Sequence, residues 1–360
     1  MATMTELAID PQKIEAFMQR LMTDMSGALT SVMCALGDRL GLFKALAAGG
    51  AQTSAELAAN TGLHERYLRE WLSALMSAGY LEYDPPSQRF GLPPEHALML
   101  AAEGGPMFMG GGVQQLPALF GPLDQLAEAF QRGGGIPQAA YDPALFDGME
   151  RISAGWFDHL LAQQWLALLP DLQQRLSQGI QVADVGCGRG RALIALARAF
   201  PASRFVGYDL FQPAIERATA NAAAAGCGAR VRFEQRDLLS GLPEQYDLIT
   251  TFDAAHDFSD PVAALGEIRR ALRPDGVYLM LEMNCSDQLE QNRGPVSTIL
   301  YGTSVLYNLP VSLASGGAGL GTLGLPETRV RELCAQAGLS SVRRLPIGNP
   351  FNVLYEIRPS

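Results

Sequence analysis

Asp184-Val185-Gly186-Cys187-Gly188-Arg189-Gly190 is the stretch on which the reading of this chain turns. It ends a short apolar strand pattern, Gln181-Val182-Ala183-Asp184-Val185, and leads into an apolar helical run, Ala192–Phe200, stopped by Pro201. A second strand pattern, Arg204-Phe205-Val206-Gly207-Tyr208, follows at once. Strand, glycine turn, helix and strand make a βαβ unit, which predicts a parallel sheet with a ligand at the carboxyl ends of its strands. Gly186, Gly188 and Gly190 let the backbone turn sharply and let a ligand lie against it. The spacing is GxGxG with Arg191 next, so the GxGxxG of nicotinamide enzymes is not met, and no GK[ST] follows for a nucleoside triphosphate. The second strand ends at Asp209, where a carboxylate can accept from both hydroxyls of a ribose. Asp237 follows a third strand pattern, Val231–Gln235. Together these residues imply a nucleoside ligand with a tightly held tail and no pyrophosphate.

The 360 residues carry 27 Lys+Arg against 37 Asp+Glu, a formal charge of −10, with 48% hydrophobic and 18% charged residues. That balance belongs to a folded globular chain, and at roughly 150 residues per domain it predicts two domains. The acidity argues against an electrostatic grip on nucleic acid, which needs clustered Lys and Arg. No apolar run approaches the ~18 residues of a membrane span, and Met1–Lys13 lacks the basic-then-apolar order of a signal peptide, so a cytoplasmic location without membrane contact is expected. Cys34, Cys187, Cys227, Cys285 and Cys334 form no CxxC pair, and the four histidines are equally scattered. Reduced thiols and no metal site are therefore expected.

N-terminal to the βαβ unit the chain reads as helical. Asp10-Pro11 opens an amphipathic helix within residues 1–30, with Ile14, Phe17, Met18, Leu21, Met22 and Met25 on one face. Such a stripe docks on a partner surface in the same chain or in a second subunit. From Thr30 to about Leu100 follow a helix carrying Leu40–Leu46, a capping box at Thr53-Ser54-Ala55-Glu56, and a helix from His64 to Ala78 with apolar pairs at 3.6-residue spacing. Tyr80–Tyr83 and Arg89–Leu92 then form a hairpin. This order is that of a winged helix-turn-helix. Five basic residues (Arg39, Lys44, Arg66, Arg69, Arg89) face seven acidic ones (Asp38, Glu56, Glu65, Glu70, Glu82, Asp84, Glu95), a net of −2, which favours a structural or dimerising role over DNA binding. The domains expected are 1–100 (winged helix, dimerisation), 101–165 (glycine-rich connector and helical lid) and 166–360 (ligand-binding sheet). Within the connector, Gly110–Gly112 and Gly133–Gly135 read as joints around a short helix near Leu116–Phe130, and a longer helix is predicted from about Met149 to Leu169.

The stretch from about 179 to 285 resembles a class I S-adenosylmethionine-dependent methyltransferase. The glycine turn, Asp209, Asp237, Tyr246–Asp253 as fourth strand and Leu272–Glu282 with its Arg-Pro-Asp-Gly turn as fifth stand in that family's order. The resemblance implies an α/β fold: a Rossmann-like seven-stranded sheet, its last two strands near Ser341–Leu345 and Val353–Ile357, behind an N-terminal helical winged-helix domain. It implies further that Asp184, Gly186, Gly188 and Gly190 hold the methionine end of S-adenosylmethionine and Asp209 the ribose. Leu210 would pack on adenine, and Asp237, with Leu238 adjacent, would accept from the adenine amino group. Phe252 and Asp253 would lie by the methionyl moiety. The whole chain is similar to a narrower set, bacterial small-molecule O-methyltransferases with an N-terminal winged helix, on Leu40-Gly41-Leu42-Phe43-Lys44-Ala45-Leu46 and Ser54-Ala55-Glu56-Leu57-Ala58. In that set the N-terminal unit dimerises, so a homodimer is expected.

His256-Asp257-Phe258-Ser259-Asp260 is similar to the His-Asp-Trp-Ser-Asp run of plant-type O-methyltransferases, whose histidine is the general base. His256 matches that histidine, and Glu282 matches the carboxylate that orients it. Glu327 is another acid in the region, but Leu323-Gly324-Leu325-Pro326 before it departs from the family's pattern. Proton removal from a hydroxyl suits an imidazole, whose ordinary pKa is about 6.5. Methylation of a small, largely apolar acceptor at oxygen is the expected function. Transfer to carbon, nitrogen or sulfur, or a non-methylating reaction of the same cofactor, are the near alternatives. A ligand-responsive DNA-binding regulator is the alternative of another class.

Overall fold

The computed structural model describes residues 9–359, so the first residues of the predicted N-terminal helix lie outside the described part. Two compact units emerge: one runs to Glu103 and includes Met107–Pro117, the other comprises Gly104–Pro106 and everything from Ala118.

The first unit opens with α1 (Pro11–Arg39), capped by Asp10, whose carboxylate accepts from the Gln12 N–H at 2.9 Å. Nothing in the sequence interrupts this helix at Thr30, so it continues to Arg39, nine residues past the expected end; the break comes at Gly41, left-handed at φ +70°. There follow α2 (Leu42–Gly49), α3 (Ser54–Thr61), closed at its start by the Thr53–Glu56 capping box, and α4 (Glu65–Ser77) with His64 as its cap. Strands β1 (Glu82–Asp84) and β2 (Arg89–Gly91) form the wing, and α5 (Pro94–Leu100) follows. Leu42, Phe43, Leu46, Leu57, Leu68, Trp71, Leu72 and Leu75 make the core, as the spacing of α4 requires. The Trp71 indole N–H donates to the Met33 carbonyl at 2.8 Å and ties α4 to α1.

Helices then run α6 (Gly110–Phe120), α7 (Leu123–Arg132), α8 (Pro143–Trp156) and α9 (Pro170–Gln178), with a π-helical stretch, Phe157–Trp165, extending α8. The single helix expected near Leu116–Phe130 is thus two, broken at Gly121-Pro122, and Gly110–Gly112 opens a helix instead of forming a joint. A side chain at Gly110 would collide with the Phe108 ring at 2.2 Å, which accounts for the glycine there. The helix expected from Met149 starts at Pro143, because Asp142 caps it by accepting from the Ala144 N–H at 2.8 Å.

The sheet of the second unit contains β3 (Gln181–Val185), β4 (Arg204–Asp209), β5 (Val231–Gln235), β6 (Tyr246–Phe252), β7 (Leu272–Met283), β8 (Ser341–Leu345) and β9 (Asn352–Arg358). Its order is β5-β4-β3-β6-β7-β9-β8, parallel except for β9, which runs antiparallel to both neighbours. Helices α10 (Arg191–Ala199), α11 (Gln212–Ala224), α12 (Pro261–Ala271), α13 (Pro295–Thr303), α14 (Leu309–Ala314) and α15 (Glu327–Gln336) complete the unit. Two apolar layers cover the sheet's faces, one around Leu193, Leu196, Leu248 and Leu279, the other around Ile249, Leu265, Ile268 and Tyr278. Asp247 is a structural carboxylate: it accepts from the Gln181 N–H at 2.9 Å, Arg175 at 3.1 Å and Arg273 at 2.6 Å. Burial pushes its carboxyl up, but these partners outweigh burial and hold it below the usual range. With β3 flanked by β4 and β6, the order of connection reverses beside it, and the carboxyl ends there are where a ligand crevice forms.

Candidate active site

At those carboxyl ends the glycine turn is tied to its neighbours by backbone and carboxylate. Gly186, Gly188 and Gly190 are all left-handed, at φ +69°, +51° and +77°. A Cβ at Gly186 would meet Ala254 at 2.5 Å and one at Gly190 would meet Phe233 at 2.4 Å, whereas beside Gly188 nothing lies within 4 Å. Gly188 therefore faces open space, the cradle a ligand needs. The Gly188 and Phe211 N–H groups each donate to Asp209 at 2.9 Å, and Gly186 and Cys187 donate to the Tyr208 carbonyl at 2.8 and 3.0 Å. Arg189 turns away, pairing with Asp147 and, at 3.1 Å, with Glu150 of α8.

The other expected cofactor residues surround this turn. Asp184 is buried and accepts from the Thr250 hydroxyl at 2.7 Å; burial, with Asp209 adding to it, pushes its carboxyl up to about 7. Asp253 is left-handed at φ +52° and accepts from the Asn352 amide at 2.6 Å; burial and the charge of Glu282 push it up to about 7. Leu210 is 63% exposed at the end of β4, whereas Leu238 is buried. The Arg236 N–H donates to the Asp209 carbonyl at 2.9 Å and so brings the exposed Asp237 beside that strand end, where its carboxylate accepts from the Leu239 N–H at 2.9 Å. The Phe252 ring lies 5.1 Å from that of Phe157.

His256 sits in the short turn Ala255–Asp257 that follows β6, with only 1% of its surface exposed, and Glu282 of β7 is fully buried beside it. Nδ1 stands 2.7 Å from Glu282 Oε2, and since a carboxylate only accepts, Nδ1 carries the proton. The other Glu282 oxygen accepts from the Ala255 and His256 backbone N–H groups at 2.9 and 3.2 Å, so one carboxylate holds both the ring and its turn. Burial disfavours the imidazolium, but the charges of Glu282 and Asp257 outweigh burial and push His256 up to about 10. Glu327 is elsewhere, paired with Arg331 and Arg344. The remaining histidines do local work: His64 caps α4, His96 bonds the Tyr80 carbonyl and His159 the Gly104 carbonyl.

Sequence reasoning did not single out Asn308. A π-helical turn, Ser304–Asn308, places its amide nitrogen 3.3 Å from His256 Nε2. Its distance along the chain hides the link; one polar residue closing the apolar run Ser297–Tyr307 was the available hint. The same turn carries Tyr307, whose ring packs 5.1 Å from Tyr141 and 6.2 Å from Phe146, and Phe146 packs 5.5 Å from Phe211. An aromatic row therefore joins the neighbourhood of Asp209 to that of His256. Among the described residues no cluster of His, Cys, Asp and Glu is arranged to hold a metal, and no helix is long and apolar enough to cross a membrane.

This is the Rossmann-like fold of class I methyltransferases, preceded along the chain by a winged helix. Residues 176–311 match the family described as a methyltransferase domain, and residues 28–102 match the Rv2258c-like winged HTH domain. A ribosomal protein L11 methyltransferase of Dictyoglomus turgidum is 33% identical over 110 residues, 30% of this chain, and the chain spans 34% of that relative's length. The mitomycin biosynthesis 6-O-methyltransferase of Streptomyces lavendulae is 24% identical over 86% of this chain and 85% of its own. Among solved structures, human N-acetylserotonin methyltransferase in complex with S-adenosylmethionine superposes with a TM-score of 0.67 at 18% identity, covering 99% of this chain and all (100%) of that one.

Proposed function

We propose that the protein transfers the methyl group of S-adenosylmethionine to an oxygen of a small, largely apolar acceptor, with His256 as general base. The observation that carries this reading is the buried His256–Glu282 pair, 2.7 Å apart, at the carboxyl ends of β6 and β7. The cofactor suits the site's chemistry: Gly188 opens on free space, and Asp184 and Asp253, both raised by burial, gain from a cationic ligand. Asp184 and the glycine turn hold its methionine end, Asp209 its ribose, Leu210, Asp237 and Leu238 its adenine, and Phe252 and Asp253 its methionyl moiety. When bound, the sulfonium supplies an electrophilic methyl group. The chain's own part is to align the acceptor and take its proton at His256 Nε2, with Glu282 fixing the ring and stabilising the charge it gains. The row Tyr141, Phe146, Tyr307 and Phe211 offers the acceptor an apolar surface. Matching a panel of phenolic, amine and thiol acceptors against product mass tests the assignment: a gain of one methylene on phenols supports it, and reaction confined to amines or thiols overturns it.

A pH profile tests the pair itself. A base works above its pKa, and Glu282 raises that of His256. Glu282→Gln removes the charge, so the acidic limb of kcat/KM is expected to move to lower pH by at least about one unit. kcat falls as well, because the ring is less firmly held. A limb that stays in place contradicts the pairing as the source of the shift.

On this reading residues 1–100 are a dimerisation domain, 101–165 a connector and lid, and 166–360 the cofactor domain of a cytoplasmic homodimer that binds no nucleic acid. Ile14, Phe17, Met18, Leu21, Met22 and Met25 of α1 are all exposed in the single chain, Phe17 by 68%, an apolar face that suits a second copy. Arg66 and Arg69 of α4 are paired with Glu70 and Glu65 and offer no free charge to phosphate. Light scattering after gel filtration is expected to give a dimer mass for the wild type and a monomer mass for Phe17→Glu; a monomeric wild type contradicts this assignment.

A further inference from the structure

We propose that Asn308, held by Thr322, is a positioning residue that opposes protonation of His256 at Nε2 and so favours the ring's accepting form. This inference rests on the reading of His256 as the base. The Asn308 amide is oriented from both sides: Thr322 Oγ1 donates to its Oδ1 at 2.6 Å, and its Nδ2 donates to the Asp257 carboxylate at 3.1 and 3.2 Å. Because a carboxylate cannot donate, the nitrogen must lie on the Asp257 side. That nitrogen is the atom 3.3 Å from His256 Nε2, so Nε2 faces a donor. A donor there favours the neutral ring over the imidazolium. The bond is long, and an acceptor hydroxyl readily takes its place.

Every charged group facing His256 pulls the other way. Glu282 comes from β7, Asp253 from the end of β6, and Asp257 from the same turn, and all three are carboxylates. The π-helical turn contributes Asn308, which is neutral, as is Thr322 of the glycine-rich segment beyond α14 that holds it. Without Asn308, Asp257 Oδ2, already 3.8 Å from Nε2, is free to close on an Nε2–H and trap the ring as an imidazolium between two carboxylates. The support of Asn308 is itself built in. The Thr322 N–H donates to the Ser304 hydroxyl at 3.1 Å, and Gly321 is left-handed at φ +73°, where a Cβ would strike that same hydroxyl at 2.5 Å. Glycine at 321 thus allows the segment to approach closely enough for Thr322 to reach Asn308.

With four histidines in the chain, labelling histidine ring nitrogens gives a spectrum in which His256 is assigned by its loss in His256→Gln. Its titration midpoint is read in the wild type, Asn308→Leu, Thr322→Val and Thr322→Ser, alongside the pH profile of kcat/KM. Asn308→Leu is expected to raise both the midpoint and the acidic limb by about one unit. Thr322→Val should shift both in the same direction by less, and Thr322→Ser should restore the wild-type values. A midpoint that is unchanged or lower in Asn308→Leu overturns the proposal. If that variant does not fold, a Thr322→Val midpoint equal to the wild type overturns it instead. A midpoint that rises while the activity limb stays put supports the hold of Asn308 on the ring and removes His256 as the base.

Discussion

Replacing His256 with alanine is expected to lower kcat by about 10²–10⁴-fold, the usual contribution of a positioned base, while the dissociation constant of S-adenosylmethionine stays within about threefold. The two effects separate because His256 lies beyond the end of β6 and makes no contact with the glycine turn or Asp209 among its hydrogen bonds, which go to Glu282 and Asn308. Loss of the ring leaves Glu282 still anchored by the Ala255 N–H, so the turn keeps its shape. Turnover under single-turnover conditions, with affinity measured by calorimetry, checks the prediction. Turnover near the wild type removes the base and moves the acceptor towards thiols or amines, which need less help in losing a proton.

Asp209→Ala is expected to have the opposite signature: affinity for S-adenosylmethionine falls by at least about 10²-fold, since two hydrogen bonds to a charged group contribute roughly 1.5–3 kcal/mol each and 1.4 kcal/mol is a factor of ten. The carboxylate also serves the turn, because it accepts from both Gly188 and Phe211. Asp209→Asn retains one accepting oxygen and should fall between. Saturating cofactor restores most of the turnover in either variant if His256 and Glu282 are undisturbed. Wild-type affinity in Asp209→Ala, measured on folded protein, contradicts the placement of the ribose.

The sheet was legible because β3, β4 and β6 are short, largely apolar runs, each followed by a helix or turn, and parallel strands buried on both faces leave that trace. The winged helix was legible for a different reason: the Thr53–Glu56 box and the pairs at Leu68, Trp71, Leu72 and Leu75 are local signals, and all four apolar residues are buried as their spacing requires. What stayed hidden depends on contacts between distant residues or on geometry without a periodic signature. The π-helical turns at Phe157–Trp165 and Ser304–Asn308 continue ordinary helices, and their hydrogen-bond shift leaves no mark in the spacing of apolar residues. Gly110–Gly112 resembled a joint because glycine weakens helices, yet Phe108 leaves no room for a side chain at Gly110. Glu282 was nominated by resemblance, and His256 by resemblance together with the fitness of an imidazole as a base; that Glu282 also binds the turn's backbone, and that Asn308 caps the ring, required the fold.

The claim from which the others descend is that the turn Gly186–Gly190, with Asp184 and Asp209, holds S-adenosylmethionine. Isothermal titration of the purified protein with the cofactor and with its demethylated product tests it most directly. The account predicts saturable binding of both at one site per chain, retained in His256→Ala and lost or severely weakened in Asp209→Ala. Absence of binding by either compound to the folded wild-type protein would contradict it.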